Sequence, residues 1–176
     1  MNNLISSIFS INSDKQFSRI ALEIFCYQSE HIPIYKEYIG RLGIKVADIK
    51  SIDKIPFLPI QFFKTREIKP VNSKTEVVFT SSGTTGDQTS KHHVVSTELY
   101  IKSFTSAFNY FYGNPGEYCI LALLPSYLER QGSSLVFMAD KLINLSNHPE
   151  SGFFLNEFDT LTERLIRLDH QGQKCL

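Results

Sequence analysis

Residues 77–86 constrain the fold most strongly, because a β-branched apolar run leads without interruption into a loop of hydroxyl and glycine residues. Glycine permits positive φ and lets backbone N–H groups approach an anion, while serine and threonine add hydroxyl donors. We therefore predict a strand over residues 76–79 that opens into a phosphate-binding nest, with a polar hairpin turn as the alternative. The residues of this loop are Thr80, Ser81, Ser82, Gly83, Thr84, Thr85 and Gly86.

The pattern of apolar residues and prolines divides the first part of the chain into two segments. Residues 1–45 are predicted to be helical, with Ser13 or Asp14 as a cap. Residues 46–75 contain three prolines, which predict an ordered connector with extended geometry around Phe57, Phe62 and Phe63. The residues expected on the buried face of the first long helix are Phe17, Ile20, Ala21, Ile24 and Phe25.

Residues 76–176 alternate between strand and helix patterns. Further strands are predicted at 93–96, 118–124 and 152–155, and a short one after Gly172. Helices are predicted from Ser96 or Thr97, over 135–145, and after a cap that Asn156 forms with Asp159. This alternation indicates one α/β domain with a parallel sheet, in which ligands bind at the carboxyl ends of strands. The face of the last helix expected to point inward carries Phe158, Leu161, Leu165 and Leu168.

Composition excludes several classes of partner. Lys plus Arg and Asp plus Glu both number 18, so the formal charge is zero and no general field attracts nucleic acid or an anionic membrane. No apolar run is long enough to span a membrane, and the N-terminus lacks the pattern of a secretory signal, so we expect a cytoplasmic protein. Cys26, Cys119 and Cys175 are too scattered for a zinc or redox motif and are predicted to be packing residues.

The loop is not the phosphate loop of kinases and GTPases, because Asp87 follows Gly86 where that motif has lysine. Its residue order resembles the ATP loop of adenylate-forming enzymes. Together with IPFLPIQFFK at residues 55–64 and LPSYLERQGSSL at residues 124–135, it is most similar to the acyl-protein synthetases of the bacterial luminescence type. The resemblance runs from about residue 15 to the end of the chain. It implies the N-terminal domain of such an enzyme, truncated, because the family's later motifs are not found in this sequence.

The resemblance also implies an activity. Such enzymes use ATP and Mg²⁺ to activate a carboxylic acid, here a fatty acid, as an acyl-adenylate, and then pass the acyl group to a thiol of a protein or carrier. Residues 80–86 match the part of the loop that holds the β- and γ-phosphates. A noncatalytic nucleotide- or acyl-binding module that needs a partner, or an inactive fragment, are the alternatives. The sequence assigns no catalytic residue and no oligomeric state.

Two features near the loop have competing interpretations. The family pattern places a proline and a lysine soon after the last glycine, whereas here the nearest cation is Lys91, which is either a displaced phosphate ligand or a solvated lysine. His92 and His93 follow it, but adjacent residues of a strand point to opposite faces, so no metal site is predicted for them.

The second motif supplies the predicted substrate contacts. By resemblance, Glu129, Arg130, Gly132 and Ser133 lie in a loop beside an acyl pocket. The alternative is a solvent-facing loop followed by a helix cap from Ser133 or Ser134. Tyr127, Phe137 and Met138 are candidates either to line that pocket or to belong to the core.

Overall fold

The computed structural model describes residues 2–81, 89–125 and 132–176. Among these, residues 2–78 and 89–95 form one compact unit, and residues 79–81, 96–125 and 132–176 form a second. The secondary structure mixes helices with small sheets, which confirms the general α/β class. Within the described ranges, every helix is too short or too polar to cross a membrane.

The first unit begins with three helices: α1 (Asn2–Ile8), α2 (Asp14–His31) and α3 (Pro33–Arg41). Ser13 caps α2, since its Oγ accepts a hydrogen bond from the backbone N–H of Gln16. Ile32 is extended, as expected before a proline, and Pro33 then occupies the first position of α3, where its missing N–H is not needed. The helical prediction for residues 1–45 is therefore confirmed over the three helices between residues 2 and 41, and the Ser13 cap is confirmed as well.

A small aromatic core holds α2 and α3 together. Phe25, Tyr35 and Ile39 are buried, and the rings of Phe25 and Tyr35 meet edge to face at 6.1 Å. The Tyr35 hydroxyl donates a 2.8 Å hydrogen bond to the carbonyl of Pro56, which ties α3 to the connector. Of the face predicted for α2, Ile20 is buried together with Phe25, whereas Phe17 is more than half exposed.

The connector is more helical than its prolines suggested. It contains two 3₁₀ turns, Val46–Asp48 and Ile52–Lys54, and a single helical turn, α4 (Phe62–Thr65). The prediction of extended geometry around Phe62 and Phe63 is therefore wrong. A proline disfavours helix in the residues before it, but its own carbonyl can still accept a helical hydrogen bond. Here the carbonyl of Pro59 accepts from the N–H of Phe62, and this bond starts the turn.

Strands β1 (Val77–Thr80) and β2 (Lys91–Val94) are neighbours in a two-stranded sheet. Both were expected from the sequence, although β2 begins two residues earlier than predicted. Just before β1, the N–H of Glu76 donates to the carbonyl of Val94 at 2.9 Å. The first predicted strand is thus confirmed, and the loop residues after Ser81 lie outside the described part of the chain.

The second unit contains three helices: α5 (Thr97–Tyr112), α6 (Ser134–Ser146) and α7 (Phe158–His170). As predicted, α5 starts after Ser96, whose Oγ accepts from the N–H of Leu99, and ends at Gly113, which has a φ of 86°. That backbone conformation favours glycine. The unit also contains the short strands β3 (Tyr118–Cys119), β4 (Leu121–Ala122), β5 (Gly152–Phe153) and β6 (Lys174–Cys175).

These four strands pair in parallel around residues 118–122. β3 pairs with β6, with Tyr118 opposite Lys174, and β4 pairs with β5, with Leu121 opposite Gly152. The predicted continuous strand at 118–124 is thus two short strands. Its backbone alternates between partners, because the Cys119 carbonyl accepts from Leu176 N–H, whereas the next carbonyl, of Ile120, accepts from Gly152 N–H. The parallel arrangement itself is confirmed.

The last helix differs from its prediction in two respects. Its N-cap is Glu157, whose carboxylate accepts hydrogen bonds from the N–H groups of Leu155 and Asn156, so the prediction that Asn156 with Asp159 caps this helix is wrong. Of the predicted inward face, Leu168 is fully buried, whereas Phe158 and Leu165 are exposed. Burial is therefore strongest toward the end of α7 that leads into β6.

We expect Leu168→Ala to destabilise the second unit by about 2–5 kcal/mol, because the side chain is 0% exposed and its loss leaves a cavity. Ile166→Ala on the same helix is the matched control, since Ile166 is 55% exposed and should cost far less. Urea unfolding of both variants measures the difference. Equal losses of unfolding free energy would contradict the observed burial of α7.

Because Tyr35 is buried, we expect the free energy of unfolding to fall at alkaline pH. Burial, and then the neighbouring Tyr38, raise the pKa of Tyr35 from 10.0 to about 12. The unfolded chain therefore ionises this tyrosine first, so its contribution is complete below pH 10 and is lost as the pH rises through about 12. Urea unfolding at pH 9 to 12 should show a smaller alkaline decline for Tyr35→Phe than for the wild type, and identical declines would exclude this origin.

Candidate functional site

One backbone hydrogen bond joins the two segments that the sequence singles out. The N–H of Thr80, the last residue of β1, donates to the carbonyl of Gly132 at 2.8 Å. Gly132 has a φ of 81°, in the left-handed region that favours glycine. The start of the glycine-rich loop and the end of the second motif are therefore adjacent within the second unit.

Phe79 fixes the position of this junction. Its side chain is 3% exposed. Its ring lies 5.1 Å from that of Tyr100 on α5 and 5.3 Å from that of Phe137 on α6. Such aromatic contacts add to the free energy of burial. Phe79 is thus held between two helices, which fixes the position of Thr80 at the end of β1.

Ser133 has a structural role at this junction. It is the N-cap of α6, and its Oγ accepts a hydrogen bond from the N–H of Val136 at 3.4 Å. This is the cap that the sequence offered as the alternative to a substrate contact. The positive end of the helix dipole lies at the same place, which favours a nearby anion. A substrate contact by Ser133 stays a prediction. The observed role of Gly132 is to accept the hydrogen bond from Thr80 in a backbone conformation that favours glycine.

The other predicted site residues fall into two groups. Thr80 and Ser81 have exposed side chains. Several predicted residues lie outside the described part of the chain, so their assignments stay predictions: Ser82, Gly83, Thr84, Thr85, Gly86, Tyr127, Glu129 and Arg130.

Lys91 is the exposed first residue of β2, in the first unit. The next residue, His92, has its ring edge-on to that of Phe63 at 6.2 Å, and desolvation followed by the charge of His93 lowers the pKa of His92. His93 is less exposed, and its Nδ1 lies 3.4 Å from Oε1 of Glu67. The two histidines therefore have different surroundings.

A charged cluster adjoins His93. Lys69 Nζ lies 2.9 Å from Oε1 of Glu67, the same oxygen that faces His93. The hydrogen bond from Lys69, and then the charges of Lys69 and His93, lower the pKa of Glu67. Among the described residues, no group of three or more His, Cys, Asp or Glu side chains could hold a metal ion.

An apolar cavity of about 450 Å³ lies between α5, α6 and the chain at 120–124. This volume is in the range of small-molecule pockets. Leu135, in the first turn of α6, borders it, so the cavity reaches the helix end that carries Ser133. The residues that α5 and α6 contribute are Phe104, Ala107, Phe108, Phe111, Tyr112, Leu135, Met138, Ala139 and Leu142.

The sequence offered Phe137 and Met138 as residues of either the acyl pocket or the core, and the structure places the two side chains differently. Met138 lines it, whereas Phe137 packs against Phe79. The contribution of α5 was missed, because the regular spacing of Phe104 and Phe108 is the same for a core-facing helix and for one that borders a cavity.

Comparisons of the chain with protein-family models, with curated proteins and with solved structures gave no match.

We expect Ser133→Ala to lower the free energy of unfolding by about 0.5–2 kcal/mol, because it removes the cap of α6. Ser134→Ala is the matched control, since Ser134 is the first helical residue and alanine is a good helix former there. Urea unfolding distinguishes them. If the two substitutions have equal effects, the Ser133 side chain does not stabilise the helix as a cap.

Proposed function

We propose that the chain takes part in ATP-dependent activation of a carboxylic acid as an acyl-adenylate, for transfer to a thiol. The hydrogen bond between Thr80 N–H and Gly132 carbonyl carries the proposal. Thr80 begins the loop that we propose to bind phosphate, and Gly132 belongs to the second motif, so their contact supports a shared site for the two motifs that carry the resemblance to acyl-protein synthetases. The finer fold that we propose is the N-terminal domain of an adenylate-forming enzyme.

Residues 80–86 are proposed to hold the β- and γ-phosphates of ATP together with Mg²⁺. Attack of a carboxylate on an anionic phosphate needs positioning and neutralisation of charge, and hydroxyl and backbone N–H donors supply both. The role of this loop is therefore electrostatic rather than nucleophilic. Lys91 is the candidate for an additional positive charge.

The apolar cavity is proposed to hold the hydrocarbon part of the acid. Its lining is aliphatic and aromatic, which suits a fatty chain, and it extends to Leu135 at the start of α6. An acid that lies along it with its carboxylate at the Gly132 end would have that group near the positive end of the α6 dipole and near the predicted phosphate loop. Glu129 and Arg130 are proposed to complete this end of the site, with a protein or carrier thiol as the acceptor.

A noncatalytic nucleotide- or acyl-binding module is the second candidate. It uses the loop at residues 80–86 or the apolar cavity for binding alone. The two candidates differ in whether an acyl-adenylate is formed.

We expect Mg²⁺–ATP to bind the chain with a heat measurable by calorimetry, and Thr84→Leu to weaken that binding about tenfold or more. Loss of one charge-assisted hydrogen bond, worth roughly 1.5–3 kcal/mol, accounts for that factor. Thr162→Leu on the exposed side of α7 is the matched control and should leave the affinity unchanged. Equal affinity for Thr84→Leu and the wild type would exclude the loop as the nucleotide site.

Exchange of labelled pyrophosphate into ATP separates the two candidates. Exchange that depends on added fatty acid supports acyl-adenylate formation. Binding of Mg²⁺–ATP without exchange supports the module instead.

A further inference from the structure

The structure brings together two cysteines that are far apart in the sequence. Cys119 on β3 and Cys175 on β6 are direct register partners in a parallel pair of strands. Neighbouring strands lie about 4.8 Å apart, and side chains of directly paired residues stand on the same face. Disulfides usually join Cα atoms separated by roughly 4.4–6.8 Å, so the backbone spacing at this pair is compatible with a bond.

The two sulfurs share surroundings but differ in access. Cys119 is 0% exposed, and its Sγ lies 3.9 Å from Oγ of Ser151. Cys175 is partly exposed and borders an open cavity of about 380 Å³ that Leu165, Ile166 and Asp169 also line. A small reagent can therefore reach Cys175 but not Cys119. Both side chains are free thiols in the structure.

We propose that Cys119 and Cys175 form a reversible redox pair, which a low-molecular-weight disulfide oxidises to an intramolecular disulfide that fastens β6 to β3. This site is independent of the proposed acyl-activating function. The sequence predicted both cysteines to be packing residues, and the proposal adds a redox role to this structural one.

The reaction proceeds in two balanced steps. The Cys175 thiolate attacks the small disulfide, which forms a mixed disulfide and releases one thiolate. The Cys119 sulfur then gives up its proton and attacks the Cys175 sulfur, which releases the second small thiol. Two protein thiols are oxidised, and one small disulfide is reduced to two thiols.

Burial controls the rate of this reaction. Burial raises the pKa of both thiols, with Ser151 opposing the effect at Cys119 and the charge of Asp169 adding to it at Cys175. The thiolate is the attacking form, so oxidation should become faster as the pH rises from 7 toward 9. Once the bond has formed, a small thiol can attack it at the accessible Cys175 sulfur and release the Cys119 thiolate, so the bond is reversible.

The disulfide would also raise the stability of the second unit. β6 follows α7 directly and contacts residues 119 and 121 through the backbone of Leu176. A covalent link between β3 and β6 restricts the unfolded chain between the two cysteines, which raises stability. The oxidised protein should therefore unfold at a higher temperature than the reduced protein.

To test the proposal, the whole chain is treated with oxidised glutathione, both as the wild type and as the Cys26→Ser variant. Cys26 is the remaining cysteine and is exposed, so its removal leaves only the proposed pair. We expect Cys26→Ser to lose both of its free thiols as a monomer, and peptide mapping to show the peptide with Cys119 linked to the peptide with Cys175. The melting temperature should rise, and a thiol reductant should reverse the change.

Cys119→Ala in the Cys26→Ser background serves as the second variant. It lacks the resolving thiol, so we expect glutathione to remain attached to Cys175. A mixed disulfide that persists at Cys175 when Cys119 is present, an intermolecular link, or no loss of thiols would each overturn the proposal. Mapping on Cys26→Ser alone decides the outcome if Cys119→Ala does not fold.

Discussion

The account depends on the hydrogen bond between the N–H of Thr80 and the carbonyl of Gly132. A backbone bond of this kind contributes only about 1 kcal/mol, but its importance here is geometric. It connects the end of β1 to the turn that starts α6, so the two segments with the most distinctive chemistry meet within one unit. Phe79 on one side and the Ser133 cap on the other hold this junction in place. The packing of the core thus determines where the glycine-rich loop begins.

The parallel pairing around residues 118–122 provides the frame for that junction. One edge of this segment pairs with β6 and the other with β5, and α6 and α7 connect the strands. Leu124, just after β4, and Leu135, in the first turn of α6, line the same cavity, so the N-terminus of α6 lies toward the carboxyl end of β4. Ligands of α/β proteins commonly bind at that end. The apolar cavity on α5 and α6 reaches the same end of α6, so the proposed acyl site adjoins the carboxyl end of β4.

Local signals and the parallel arrangement of the strands were predicted from the sequence, whereas the specific long-range contacts were not. The caps at Ser13 and Ser96 and the stop at Gly113 depend on a few neighbouring residues, so the pattern was sufficient. The helical turn at Phe62 was missed because Pro59 was interpreted as excluding helix after it as well as before it. Glu157 was missed as a cap because it is not a preferred residue type there. The contact between Thr80 and Gly132, the register of Cys119 with Cys175, and the role of Phe104 in the cavity all depend on tertiary packing, which no local pattern encodes.

The most direct measurement is a titration of the isotope-labelled chain with Mg²⁺–ATP, followed by NMR of the backbone amides. Amides at both sides of the junction report on the same event, because the Thr80 N–H donates to the Gly132 carbonyl, which shares a peptide group with the Ser133 N–H. The account predicts that the signals of Thr80, Ser81 and Ser133 shift together, with one dissociation constant, while the amide signal of the fully buried Leu168 does not shift. Shifts confined to other parts of the chain, or no shifts at saturating nucleotide, would contradict it.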